Sequence, residues 1–142
     1  MPFDVPYQDR CPFCAFLARE RPFAILEENT LTSILVTFEQ VGPGHVLVIP
    51  TQHRETILDL TDEEAHAVME TTRRAVRAIV AAYDPPGVNV WQNNGVPARQ
   101  TVPHVHVHVA GAPPGGTSWD REVPRLSLAE TERIAAELRP HL

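Results

Sequence analysis

Val102-Pro-His-Val-His-Val-His-Val-Ala110 sets three histidines, His104, His106 and His108, at every second position. Successive side chains of a β-strand point to opposite faces, so this spacing predicts three imidazoles on one face and Val105, Val107 and Val109 on the other. Valines suit a buried strand face. Three imidazoles gathered on the opposite face are costly to desolvate without partners, which marks them as a site. The run is internal and patterned, so it is not a contiguous terminal tag.

Just upstream lie Asn93-Asn94-Gly95 and Gln100-Thr101. Asn-Asn-Gly predicts a turn that folds a strand over Val88–Gln92 back along a strand over Val102–Ala110. Amides and hydroxyls then border the histidine face, where such uncharged donors suit phosphate oxygens. Two chemistries stay open on these residues. A His-x-His pair with a third ligand from elsewhere makes a metal centre. A neutral imidazole is also a nucleophile near pH 7, able to attack phosphorus while its neighbours bind the phosphate oxygens.

The 142-residue chain is long enough for one domain with a real hydrophobic core. Its net charge of −6 argues against a general nucleic-acid binder. No apolar run approaches a membrane span and no signal-peptide pattern is seen, so a cytoplasmic protein is expected. Cys11-Pro-Phe-Cys14 is then a metal or redox pair, and C-x-x-C is the tight half of a tetrahedral zinc site.

The remaining pattern is mixed. A short helix is expected over residues 12–20. Strands are expected over Phe23–Leu26 and Leu31–Phe38, around a turn at Glu27–Thr30, and a central one over His45–Ile49. Thr61 with Glu64 signals the start of a helix that runs to about Tyr83, with Ala65, Val68, Met69, Val76, Ile79 and Val80 as its apolar stripe. Ser127 with Glu130 opens a C-terminal helix ending near Pro140. The predicted class is α+β: about five antiparallel strands, a long crossover helix and a C-terminal helix.

Taken together, the motifs resemble the histidine-triad (HIT) family. They are Asn94-Gly95, Gln100-Thr101-Val102 leading into His104-Val-His-Val-His108, Pro43-Gly44-His45-Val-Leu-Val-Ile-Pro50, Cys11–Cys14 and Leu58–Glu64. The resemblance covers residues 11–110, and implies one HIT-like domain over 1–142 with residues 111–142 as a C-terminal extension. It implies a nucleotide hydrolase or transferase cleaving at an α-phosphate, through a nucleotidyl adduct on His106. A backbone carbonyl of the triad run would orient His106, and His108 would donate to the phosphate or leaving group. His45 would stand behind the triad. Asn93, Gln100 and Thr101 would serve the phosphate side.

In the zinc-binding branch of the family, Cys11 and Cys14 would be joined by His53 and His104 around a structural zinc. The implied substrate is a small purine-type nucleotide, with no nucleic acid and no membrane, and the implied assembly is a homodimer. The chain departs from the family at three places. Thr37 stands where an acidic residue or Asn holds the ribose hydroxyls, Arg99 replaces the Gly before Gln100, and Val109-Ala-Gly111 lacks the Pro-Arg that often follows. A metallohydrolase with the triad as ligands and a non-catalytic nucleotide-binding protein remain as alternatives.

Overall fold

A computed structural model describes residues 2–142. In chain order the elements are α1 (Pro12–Leu17), β1 (Ile25–Glu28), β2 (Thr32–Val36), β3 (Val46–Pro50), α2 (Asp62–Tyr83), β4 (Gly87–Trp91), β5 (Val107–Ala112) and α3 (Leu128–Leu138). The strands form one antiparallel sheet in the order β1-β2-β3-β5-β4. The predicted class and the central place of β3 are both borne out, every residue of β3 being buried.

One face of the sheet is the main core. Leu26, Ile34, Val36, Val46, Val48 and Val109 pack there with Val68, Ala75, Ala78 and Ile79 of α2 and Ala135 and Leu138 of α3. Leu35, Leu47 and Ile49 point to the other face, where Cys11, the short α1 through Phe13, and the partly buried Phe23 and Val102 cover them. Helices on one side and a thin cover on the other leave room for a cleft on the histidine side.

Both long helices start as the sequence predicts, each with a reciprocal capping box: Thr61 with Glu64, and Ser127 with Glu130. Glu64 also receives a three-contact fork from Arg54, which fastens the segment after β3 to the start of α2. The apolar stripe of α2 differs from the expected one. Ala65, Met69 and Val80 face outward, and Glu64, Val68, Thr71, Thr72, Ala75, Ala78 and Ile79 face inward. The sheet accepts threonines because their hydroxyls are satisfied: Thr71 pairs with Thr32 at 2.9 Å, and Thr72 donates to the Val68 carbonyl. Val68 and Ile79 of the expected stripe still face the core, and Val76 packs against it.

Strand β5 begins at Val107, not Val102. Pro103 has no N–H for a ladder, the His104 N–H closes a local turn onto the Val102 carbonyl, and the Val105 N–H goes to Arg54 outside the sheet. The strand expected over Val88–Gln92 lies at Gly87–Trp91, and the turn between β1 and β2 falls about two residues later than predicted. No helix among the described residues is long and apolar enough to cross a membrane.

Candidate active site

The site lies where β3, β5 and β4 run side by side. Leu47, His108 and Trp91 are partners in register across the three strands. Their side chains therefore share a face, and Trp91 stacks flat on His108 with centroids 4.5 Å apart and planes 1° from parallel. His106 stands two residues before His108, just ahead of the strand, and its ring is 5.1 Å from that of His108. Phe13 of α1 packs edge-on against both His104 and His106. Each histidine meets an aromatic partner instead of bare hydrocarbon.

Backbone groups decide which nitrogen of each ring carries the proton. His106 Nδ1 lies 2.7 Å from the His104 carbonyl, which can only accept. His106 is therefore protonated at Nδ1, and its Nε2 keeps a lone pair. The Val41 N–H donates to His45 Nδ1 at 3.3 Å, so the His45 proton is on Nε2. That nitrogen is 3.0 Å from His108 Nδ1, which must accept it, and His108 then carries its own proton on Nε2. His104 donates from Nε2 to the Pro50 carbonyl at 2.9 Å, which leaves Nδ1 free as a ligand. Three backbone groups thus set one nucleophilic nitrogen, one N–H donor and one potential metal ligand.

Burial keeps these rings neutral. Desolvation lowers the pKa of His106, lowers those of His45 and His104 to about 4, and lowers that of His108 to about 3, the last with added repulsion from His106 and His45. A neutral His106 is the nucleophilic form.

The cavity beside these rings holds about 420 Å³, within the usual range for a small-ligand site. His106, His108 and His45 line one part of it, and Phe13, Phe16, Phe23 and Phe38 line much of the rest. Thr37 and Thr101 also line it. Thr37 donates its hydroxyl to the Glu39 carbonyl and accepts from Gln40, so it is largely engaged within its own loop.

Asn93 and Gln100 are not among the described residues that line this cavity. Gln100 is buried, with its carboxamide accepting from Gly95 N–H and donating to the Glu55 and Val102 carbonyls. Its role here is to hold the approach to the histidine run. Sequence reasoning missed Trp91, Phe13, Gln40 and Arg125. The hairpin register gave a signal for Trp91 alone. Gln40 clamps the loop before β3 by bonding both the N–H and the carbonyl of His45.

The second predicted constellation also assembles. Among the described residues, Cys11, Cys14, His53 and His104 bring one ligand atom each within 4.8 Å of one another. Cys11 Sγ is 3.3 Å and Cys14 Sγ 3.6 Å from His104 Nδ1, and Cys14 Sγ is 3.4 Å from His53 Nδ1. A tetrahedral zinc with normal bond lengths has S···N edges of about 3.5 Å, so the donor set fits the metal. Burial and the neighbouring Cys11 push the Cys14 thiol up to about 11. A bound divalent cation would supply the charge that deprotonates such a thiol.

The family model for the HIT domain matches residues 18–114. The chain belongs to the HIT domain family. A HIT relative from Schizosaccharomyces pombe, adenosine 5'-monophosphoramidase hnt1, is 33% identical over 103 residues, 72% of this chain and 74% of that protein. A second, the asymmetrical bis(5'-nucleosyl)-tetraphosphatase of the same organism, is 37% identical over 85 residues, 60% of this chain and 47% of its own length. Among solved HIT structures, a Zn-bound histidine triad family protein from Mycobacterium smegmatis superposes with a TM-score of 0.76 at 26% identity, covering 92% of this chain and 91% of that one.

Proposed function

We propose that this HIT protein is a nucleotide hydrolase or transferase that cleaves at an α-phosphate through a nucleotidyl adduct on His106. The observation that carries the reading is the fixed tautomer of His106, which leaves a lone pair on its Nε2, in a ring 5.1 Å from that of His108, whose own proton is on Nε2. His106 Nε2 attacks the α-phosphorus, and the bond to the leaving oxygen or nitrogen breaks with its electron pair. His108 stabilises a phosphate oxygen or the leaving atom by a hydrogen bond from neutral imidazole. Its Nδ1 already accepts from His45, so neutral His108 gives up no net proton, and a phosphoramidate nitrogen takes one from solvent before the P–N bond breaks and leaves as the neutral amine. The adduct is cationic at the ring, and the His106 Nδ1–H bond to the His104 carbonyl favours that charge. Water then displaces the imidazole at phosphorus, and its proton departs with the product. Thr101 adds a hydroxyl at the cavity wall, and Asn93 would have to swing inward to reach the phosphate.

Dinucleoside polyphosphates, nucleoside phosphoramidates and adenylated metabolites all offer the required α-phosphorus, and the names of the two yeast relatives support the first two classes. A triad metal centre fits less well, because His106 and His108 already use Nδ1 on other partners and His104 turns its Nδ1 toward the thiols. A structural zinc on Cys11, Cys14, His53 and His104 would tie α1, and with it Phe13, to the histidine run. The reading further takes residues 1–142 as one domain working in the reducing cytoplasm. It forms a homodimer through the β4 edge, where exposed Val90 lies in an outer strand.

The test is turnover of a phosphoramidate and a dinucleoside polyphosphate by wild type and His106→Ala, with intact-mass analysis under a non-acid quench. One nucleotidyl addition in wild type and loss of turnover by several orders of magnitude in the variant are expected. Wild-type rates in His106→Ala would refute the covalent route.

A further inference from the structure

The cavity is completed by chain that lies beyond the matched family region. After β5 the chain turns back past the site. Trp119 meets Trp91 edge-on at 4.9 Å without itself lining the cavity, and Arg125 lines it beside Phe38. Arg125 is held from both backbone and side chain. The next residue, Leu126, donates to the Phe38 carbonyl at 2.9 Å, and residues 39 and 125 form an antiparallel bridge. The guanidinium lies over the Phe38 ring, 4.2 Å from its centroid, and Nη1 donates to Glu39 at 3.3 Å.

A continuous aromatic wall joins this pair to the nucleophile. Phe13 is 5.2 Å from His106 and 6.3 Å from Phe16. Phe16 stacks on Phe23 at 4.1 Å, and Phe23 meets Phe38 edge-on at 4.8 Å. A 5'-nucleotide with its phosphorus at His106 would lay its base on these rings, with the base edge toward Arg125 and Glu39.

These two are the only guanidinium and the only carboxylate among the described residues lining the cavity. Their contact is one long hydrogen bond between exposed groups, which adds little to stability. Most of the guanidinium's five donors and the carboxylate's lone pairs stay open to a ligand. The opposite charges cancel, so this end does not suit a second phosphate. A donor fork matches two adjacent acceptors, which guanine offers at N7 and O6. Adenine instead sets an amino group beside N7, so N–H would meet N–H. The adjoining N1–H and N2–H of guanine suit a carboxylate.

We infer that Arg125, with Glu39, selects guanine over adenine nucleotides at this site. The inference rests on the nucleotide-site reading above. It adds a specificity-determining residue from outside the HIT core.

Calorimetric titration of GMP and AMP tests it, because binding is read without turnover. Wild type should bind GMP about ten-fold more tightly than AMP. The ratio should fall to near one in Arg125→Ala. It should also fall in Arg125→Lys, which keeps the charge beside Glu39 but not the planar fork. Equal affinities in wild type, or a preference that survives in Arg125→Ala, would overturn the inference. A GMP preference in a protein that turns over no nucleotide would support it and overturn only the proposed reaction. Failure to bind either nucleotide would overturn both.

Discussion

Replacing His45 by Phe tests the chain of hydrogen bonds that sets the His108 proton. Phe keeps much of the shape of a side chain that is 4% exposed and packed against Trp91. It removes two bonds, Val41 N–H to Nδ1 and Nε2–H to His108. Each net hydrogen bond is worth about 0.5–1.5 kcal/mol, and leaving a buried acceptor such as His108 Nδ1 without a donor costs about 1–3 kcal/mol. The two costs overlap at His108, so the expected loss is about 2–3 kcal/mol. For a chain of this size that lowers Tm by roughly 4–12 °C. Urea denaturation measures the loss, and ¹⁵N spectra of the imidazoles read the tautomer. Wild-type His108 should be protonated at Nε2 and bare at Nδ1, and the variant should show a mixture. Unchanged stability together with an unchanged His108 tautomer would refute the assignment of the His45–His108 relay.

Stability should also fall with acid. His45 and His108 have folded pKa values of about 4 and about 3, below the ordinary value of 6.5, so the unfolded chain binds more protons as the pH drops. Their contribution is complete above pH 6.5 and is lost progressively below it. Between pH 7.5 and 5.5 each ring should cost about 1.4 kcal/mol, measured by urea midpoints on chelator-treated protein so that metal release does not intrude. A flat profile over that range would mean the rings are not buried and neutral. Purified protein should carry about one zinc per chain by elemental analysis, and chelation should lower Tm. Equal melting in chelator and in added zinc would argue against the site. Gly42→Ala drives a Cβ into the Gly111 carbonyl oxygen, so a loss of about 1–3 kcal/mol in denaturant is expected. Thr37→Asp should raise the preference for ribo- over deoxynucleotides in kcat/KM by roughly 1–2 kcal/mol, and no change would place the ribose elsewhere.

Much of this protein follows from local patterns. Thr61–Glu64 and Ser127–Glu130 set the starts of the two long helices, because a capping box is satisfied within four residues. The apolar run of β3 announced a central strand, since only a strand covered on both faces has no polar side. The spacing of His106 and His108, and the Cys-x-x-Cys pair, carried the chemistry, because those side chains act from positions close together in the chain. Tertiary structure decided what depends on distant partners. Pro103 and the reach of Val105 to Arg54 delayed β5 by five residues, which freed His104 to turn toward Cys11 and Cys14. Thr71 could turn inward on α2 because Thr32 of the sheet meets its hydroxyl, a partner that no helical periodicity contains. Gln100 looked like a phosphate ligand until its amide was found bonded to Gly95, Glu55 and Val102. Arg125 stands 86 positions from Glu39 and joins the cavity only because the chain after β5 folds back across the sheet, a contact set by packing between segments with no local signal in either.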